Sequence, residues 1–410
     1  MSRPKGVAGR LWLRGRFRDG WLRWERGRIA EVRAGAPPRR LAAELADCRG
    51  LRVVPGFVDT LLHGYGGVDT SVATPAELRA MAEALARTGV TTALCGLYPL
   101  PVPDLRRLRR AYERFAAQAP PAGCRLAGWH IEGPFVAPHM RGALPPVGIS
   151  EPTAERAEQV AGACGAWLRM CTFAPEVQGA EAAARVLRRA GVVLSIGHCA
   201  AGYEDCGRLA EGGDVAITHL GNRMPPLQAR EPGPIGFALR GRARWTGVIP
   251  DGVHVSNVTL ALLADTPELR GRLMFQSDNL SHAGLPALDF EAGGKRLHRD
   301  GPAARDEQGG LGGTLDPLPQ LLAQRVREGA LTWEQAVRGG CEVPGSLFGD
   351  CGRLEPEARA DVLVLDALGE IEAIWTGGRA LRPAPLPAVS HAPGAAKVLP
   401  GWPGQIQAGR

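Results

Sequence analysis

Long apolar runs are absent from this chain. No run of about 18 apolar residues occurs, which excludes a helix that spans a membrane, and the opening MSRPKGVAGRLWL lacks the apolar centre of a secretory signal. The nine cysteines (48, 95, 124, 164, 171, 199, 206, 341 and 351) are odd in number and none forms a CxxC pair. Neither a disulfide framework nor a cysteine-rich zinc site is therefore expected. Basic stretches interleaved with aromatics are missing too. The formal charge of +7 is mostly scattered arginine, so a nucleic-acid partner is not expected. The expectation is a cytoplasmic protein with no membrane partner and a small-molecule substrate. A mildly basic surface favours an anionic one.

What is present is a core-sized chain with a repeating pattern. Hydrophobic residues make up 45% of the 410, enough for a barrel of about 250–300 residues with an appendage, or for two or three domains. Residues 9–54 alternate apolar and polar side chains in short segments (RLWLRG, GWLRWERG, RIAEVRAG, LRVVPG), the pattern of half-buried antiparallel strands. From residue 53 the pattern becomes strand, loop, helix, repeated. Strands are predicted at 53–62, 91–97, 125–131, 168–173, 192–196, 215–219, 245–249 and 273–276. Helices are predicted at 75–87, with Thr74 as N-cap before Pro75, and at 104–117, 151–162, 179–190 and 203–211. Eight strands alternating with helices point to an α/β fold, a (β/α)8 TIM-like barrel. An open doubly wound sheet is the other candidate. It would carry a Gly-rich phosphate loop after its first strand, and His63-Gly64-Tyr65-Gly66-Gly67 does not have GxGxxG spacing.

After Gly352 the β pattern returns, with strands expected at 361–366 and 371–376 and a Gly377-Gly378 turn. One small β-sandwich domain built from both chain ends follows: residues 1–54 and 353–382 around a barrel of 55–352. The Pro-, Ala- and Gly-rich tail, 383–410, is expected to be loosely ordered.

The chemistry-bearing residues fall at predicted strand ends, which is where ligands sit in parallel α/β folds. Two apolar runs, 192–196 and 215–218, each lead into a histidine, His198 and His219, with a short helix between them. Two imidazoles alone leave a metal pair and a pair of unrelated loop histidines equally open. The third strand adds His130 and Glu132 on one face, and the eighth leads into Ser277-Asp278-Asn279. One carboxylate and two imidazoles (Glu132, His198, His219) leave an open position, the pattern of a catalytic rather than a structural zinc site. Such a cation lowers the pKa of a bound water and polarises a carbonyl. Asp278 is the candidate general base and acid; a loop or N-cap carboxylate is the alternative for it.

Six segments carry a resemblance. PGFVDTLLHGYGG (55–67), GWHIEGPFVAPHMRGA (128–143), GHCAAGYEDC (197–206), THLGNRMPPLQAREPG (218–233), GVIPDGVHV (247–255) and SDNLSHAG (277–284) resemble the motifs of the N-acetylglucosamine-6-phosphate deacetylase family of the amidohydrolase superfamily. The resemblance covers nearly the whole chain. It implies one divalent metal on Glu132, His198 and His219, with zinc first and iron, cobalt or manganese as alternatives. It implies Asp278 as acid and base, and Asn222 and His254 as contacts to sugar and phosphate. It implies that Arg230 reaches a phosphate across a homodimer interface. The implied reaction is hydrolysis of the acetamide of an amino-sugar phosphate.

Departures from the family pattern bear on the substrate. Two-metal members carry HxH at the first strand end, where this chain has Leu61-Leu62-His63. That favours one metal and leaves His63 as a rim or substrate contact. Leu144 stands where a carbonyl-polarising histidine is usual, and His139 is the candidate substitute. Arg223 replaces a small residue beside Asn222; it could bind phosphate bidentately or fill the sugar pocket. A deacetylase of N-acetylgalactosamine 6-phosphate, or of an unphosphorylated or biosynthetic amino sugar, is the second reading. A non-catalytic sugar-phosphate binder is the third.

Overall fold

The computed structural model describes residues 4–118 and 122–383. Beyond Pro383, the tail expected to be loosely ordered lies outside the described residues. Eight strands form one parallel sheet in chain order: Phe57–Leu62, Val90–Leu97, Arg125–Ile131, Leu168–Phe173, Val193–Ile196, Val215–Ile217, Trp245–Val248 and Leu273–Phe275. Helices return the chain between them, so the sheet curls into a (β/α)8 barrel. The strands are buried on both faces, which is why they are near-continuous apolar runs. The helix Pro75–Arg87 shows how local chemistry sets an element. Thr74 caps it, Glu77 returns a bond to the Thr74 N–H at 2.8 Å, and Leu78, Met81, Ala82 and Leu85 face the core.

The barrel closes differently at its seam. Among the described residues no ladder joins the first strand to the last; one bridge, Leu62 with Asn279, stands there. Backbone bonds from Asp278 N–H to Leu61 C=O (2.9 Å) and from His63 N–H to Asn279 C=O (2.7 Å) complete the upper half. Lower down, the π-helical turn Arg338–Glu342 plugs the gap with glycines. A Cβ on Gly339 would lie 2.6 Å from the Phe275 ring, and one on Gly340 would lie 2.9 Å from Phe57.

The expected first strand, 53–62, is two strands. Ala46–Pro55 belongs to a terminal sheet and Phe57–Leu62 to the barrel. Gly56 is the corner, with no room for a side chain beside Thr91, whose Oγ1 would lie 2.0 Å from a Cβ. The apolar run through Pro55-Gly56 hides this switch of sheet. The terminal sheet holds seven strands, with Val362–Leu365 pairing antiparallel to Ala46–Pro55, so both chain ends build one small β-domain. Its hairpins at Arg14-Gly15, Arg26-Gly27 and Gly377-Gly378 have positive φ at both turn residues, as two-residue turns of this kind require.

A second small sheet has no counterpart in the sequence-based expectation. Asp289–Ala292, Lys295–Asp300, Ala303–Asp306 and Leu311–Thr314 form an antiparallel meander after the last barrel strand. Its signal lies in Gly293-Gly294, a two-residue turn between Ala292 and Lys295.

Beneath the barrel mouth, His130 is fully buried. Its Nδ1–H donates to Thr60 C=O (2.9 Å), and its Nε2 accepts from the Thr172 hydroxyl (2.9 Å). Burial favours the neutral ring, in which Nε2 is the acceptor, and lowers the His130 pKa from 6.5 to about 4. The folded value lies below the unfolded one. Its contribution is therefore complete above pH 6.5 and is lost as pH falls toward 4, about 3 kcal/mol at the limit. Thermal midpoints across that range are expected to fall more steeply in the wild type than in His130→Gln; parallel profiles would contradict the assignment.

Candidate metal centre

Glu132 follows the third strand, and its N–H donates to Leu97 C=O at 2.9 Å, which fixes the carboxylate at the barrel mouth. Its Oε1 lies 2.8 Å from His198 Nε2 and 2.7 Å from His219 Nε2, and its Oε2 lies 2.9 Å from His63 Nε2. Asp278 Oδ1 is 3.4 Å from the same His63 nitrogen. Glu132, His198 and His219 are buried, and their ligand atoms lie within 4.8 Å of one another; His63, Glu132 and Asp278 form an overlapping group.

The backbone bends to make this possible. His198, His219 and Asp278 have φ of 48°, 30° and 54°, left-handed values that cost side-chain-bearing residues of order 1 kcal/mol or more. Each strand thus ends in a sharp turn that throws its side chain over the barrel axis. The His198 Nδ1–H donates to Met140 C=O at 2.9 Å, so its Nε2 presents a lone pair toward Glu132. A backbone carbonyl behind a histidine is the usual second support of a metal ligand. His219 Nδ1 has no partner among the described residues, so its Nε2 is free to carry either a proton or a lone pair. With both Nε2 lone pairs turned to one carboxylate oxygen the three groups repel, and a cation among them removes that repulsion. The donor set therefore fits a divalent metal, and the protein holds a buried His/Glu/Asp metal-binding site.

Protons on the imidazoles would balance the carboxylate in the same way as a cation. Burial alone would raise the Glu132 carboxyl, but His198, His219 and His63 outweigh it and hold it well below the ordinary carboxylate range. Burial lowers the His63 imidazole, and Asp278 and Glu132 reverse this and raise it to about 10. Tyr98 stacks on the His63 ring at 4.3 Å. His63 is 2% exposed and bonded into the centre, and it also lines the cavity above.

The centre opens into a cavity of about 450 Å³ lined by residues of the strand-end loops and of the meander. Asn222, Arg223 and His254 line it. The Asn222 side chain donates to His219 C=O at 3.3 Å. His254 Nδ1–H donates to buried Asp251 at 2.6 Å, which leaves its Nε2 for the cavity. The Arg223 guanidinium lies against Gly142, where a Cβ would come within 2.2 Å of Nε. Leu144 and Tyr98 stand in the cavity wall, with buried Val136 packed against them. His139 does not take the place of a polarising histidine there. It is exposed on the turn Pro138–Met140, and Met140 faces the cavity instead. Arg230 is exposed and lies outside this cavity.

Several participants escaped the sequence. Asp251 could have been found as a carboxylate three residues before His254. Arg305, Gly309 and Leu311 line the cavity from the meander, and the unread Gly293-Gly294 turn is the signal that leads to them. The nine cysteines are all buried and free. No helix among the described residues is long and apolar enough to cross a membrane.

A (β/α)8 barrel with this buried donor set at its strand ends is that of a metal-dependent amidohydrolase, a hydrolase acting on an amide. The chain is 32% identical to N-acetyl-D-glucosamine-6-phosphate deacetylase from Mycobacterium smegmatis, in a mutant form solved with N-acetyl-D-glucosamine-6-phosphate. The match covers 92% of this chain and 99% of that one, with a TM-score of 0.82. It therefore belongs to the N-acetylglucosamine/N-acetylgalactosamine-6-phosphate deacetylase family of the amidohydrolase superfamily. The Thermotoga maritima N-acetylglucosamine-6-phosphate deacetylase is 26% identical with a TM-score of 0.80, over 92% of this chain and 98% of that one. N-acetylgalactosamine-6-phosphate deacetylase of Escherichia coli O157:H7 is 29% identical over 366 residues, 88% of this chain and 96% of that one. No protein-family model matches the chain.

Glu132→Gln keeps the size of the side chain and removes its charge. Elemental analysis is expected to find this variant depleted of divalent metal, with His139→Gln retaining the wild-type amount. Full metal content in Glu132→Gln would place the ion elsewhere.

Proposed function

We propose that the protein hydrolyses the acetamide of N-acetylglucosamine 6-phosphate to glucosamine 6-phosphate and acetate, using one divalent metal per subunit. The carrying observation is the cluster of Glu132, His198 and His219 facing Asp278 at the floor of one cavity. A cation held by those three residues would polarise the amide carbonyl and acidify water. Zinc suits the Glu/His/His set best, with iron, cobalt and manganese as alternatives. Leu61 is apolar and buried at the position where a second ion would need a first-strand ligand, which supports a single metal.

Asp278 takes the proton of the attacking water and gives it to the departing nitrogen as the C–N bond breaks. It stands 8% exposed, at the border between the buried cluster and the cavity. His63 sits between Asp278 and Glu132 and holds the two carboxylates in place. Asn222 and His254 contact sugar and phosphate, with Asp251 fixing the His254 ring. Arg223 adds a guanidinium to the same wall. Arg230, exposed outside the cavity, suits a phosphate contact made in the partner subunit of a homodimer. Free buried thiols and a phosphorylated substrate both suit the cytoplasm.

Asp278→Asn is expected to lower kcat about 10²-fold or more with metal content unchanged. Full activity in this variant would remove Asp278 from the mechanism. Arg230→Ala is expected to raise KM for the phosphorylated sugar about tenfold and to leave the unphosphorylated analogue unaffected, as loss of a charge-assisted bond requires. Equal effects on both would remove Arg230 from phosphate recognition.

N-acetylgalactosamine 6-phosphate is a second reading. Deacetylases named for the two sugars resemble the chain about equally, at 29% and 28% identity, and Leu144 and Arg223 reshape the wall. Acetate release from both phosphorylated sugars side by side decides between them.

A further inference from the structure

Asp59 lies on the first barrel strand, fully buried, with no cationic partner among its hydrogen bonds. Its Oδ1 accepts from the Ser277 N–H at 3.1 Å and from the Leu61 N–H at 3.4 Å, the Ser277 hydroxyl also favours its ionised form, and its Oδ2 has no hydrogen-bond partner among the described residues. A buried carboxyl without a cation is costly, and an apolar side chain would pack there at less expense. Its position offers the reason. Ser277 begins the segment that leaves the last strand, and the first and last strands share no ladder.

We propose that Asp59 is a positioning residue: its side-chain oxygen replaces a missing ladder bond across the barrel seam and so sets the backbone that aims Asp278 at the substrate. The backbone of Asp278 and the Ser277 carbonyl are held by Leu61 and Thr314. Asp278 N–H donates to Leu61 C=O (2.9 Å), Asp278 C=O accepts from Thr314 N–H (3.0 Å), and Ser277 C=O accepts from the Thr314 hydroxyl (2.7 Å). The Ser277 N–H alone is held by a side chain of the first strand. With it fixed, Asp278 turns into its left-handed φ of 54° and its carboxylate reaches His63. Burial pushes the Asp59 carboxyl up to about 7. The acceptor oxygen is present whether the group is ionised or neutral, so geometry and not charge is what the residue supplies.

This rests on the proposed role of Asp278, and the test separates the two. Asp59→Asn keeps an acceptor oxygen, and Asp59→Leu removes it at similar size. Deacetylation kinetics, metal content and amide hydrogen exchange are measured on both, with Asp278→Asn alongside. Asp59→Asn is expected to keep kcat within about threefold. Asp59→Leu is expected to lower kcat about tenfold or more, with KM and metal content unchanged, since small misplacements of a reacting group have effects of this size or larger. Exchange of the 277–279 amides is expected to rise about tenfold in Asp59→Leu only, with the second and fourth strands unchanged. Asp59→Ala carries the same comparison should the leucine variant not fold. The proposal is overturned if the asparagine variant loses as much as the leucine one, or if exchange at 277–279 does not change. Should Asp278→Asn prove fully active, the acid–base reading fails by itself, and the exchange result still decides whether Asp59 clamps the seam.

Discussion

A single buried carboxylate organises the mouth of the barrel. Glu132 is removed from water, and a lone charge there would be unstable unless paired. The chain answers with three imidazoles from three different strand ends: His63 after the first, His198 after the fifth, His219 after the sixth. Delivering them demands left-handed backbone at two of the three. Strain of this kind persists only where the surrounding structure over-determines it, and the parallel strands provide that rigidity. A cation then completes the charge balance that Glu132 and its neighbours set up.

The same economy extends outward. Hydroxyls of Thr172, Ser195 and Thr218 link beneath the centre, with Ser195 and Thr218 2.6 Å apart, and neutral His130 ties them to the first strand. The layer of hydroxyls directly beneath the centre is thus polar yet uncharged. Above, the meander and the strand-end loops form the cavity walls. The barrel is weakest where first and last strands meet, and the groups bridging that gap also hold Asp278.

Much of this was legible in the chain. Fully buried parallel strands are continuous apolar runs, so the barrel showed through, and strand bounds such as Arg125–Ile131 and Leu168–Phe173 match within the sequence pattern. Glu132, His198, His219 and Asp278 were identifiable because each stands where an apolar run ends. The structure brings them together, and their chemical roles rest on experiment. Less visible was anything set by contact across the chain. The switch of sheet at Gly56 lies inside one apolar stretch. The meander is made of short strands whose alternation is weak. Nothing in the sequence sets Asp59 apart from its strand, because its partner Ser277 is more than two hundred residues away. His139 was chosen by proximity in sequence, and the turn it occupies points it to solvent.

The proposed single metal is held by Glu132, His198 and His219. Anomalous diffraction from crystals of the protein, recorded at the absorption edge of the metal found in it, tests that most directly. A single peak is expected within bonding distance of Glu132 Oε1, His198 Nε2 and His219 Nε2, and none between His63 and Asp278. A peak confined to His63 and Asp278, or no peak in catalytically active crystals, would contradict it.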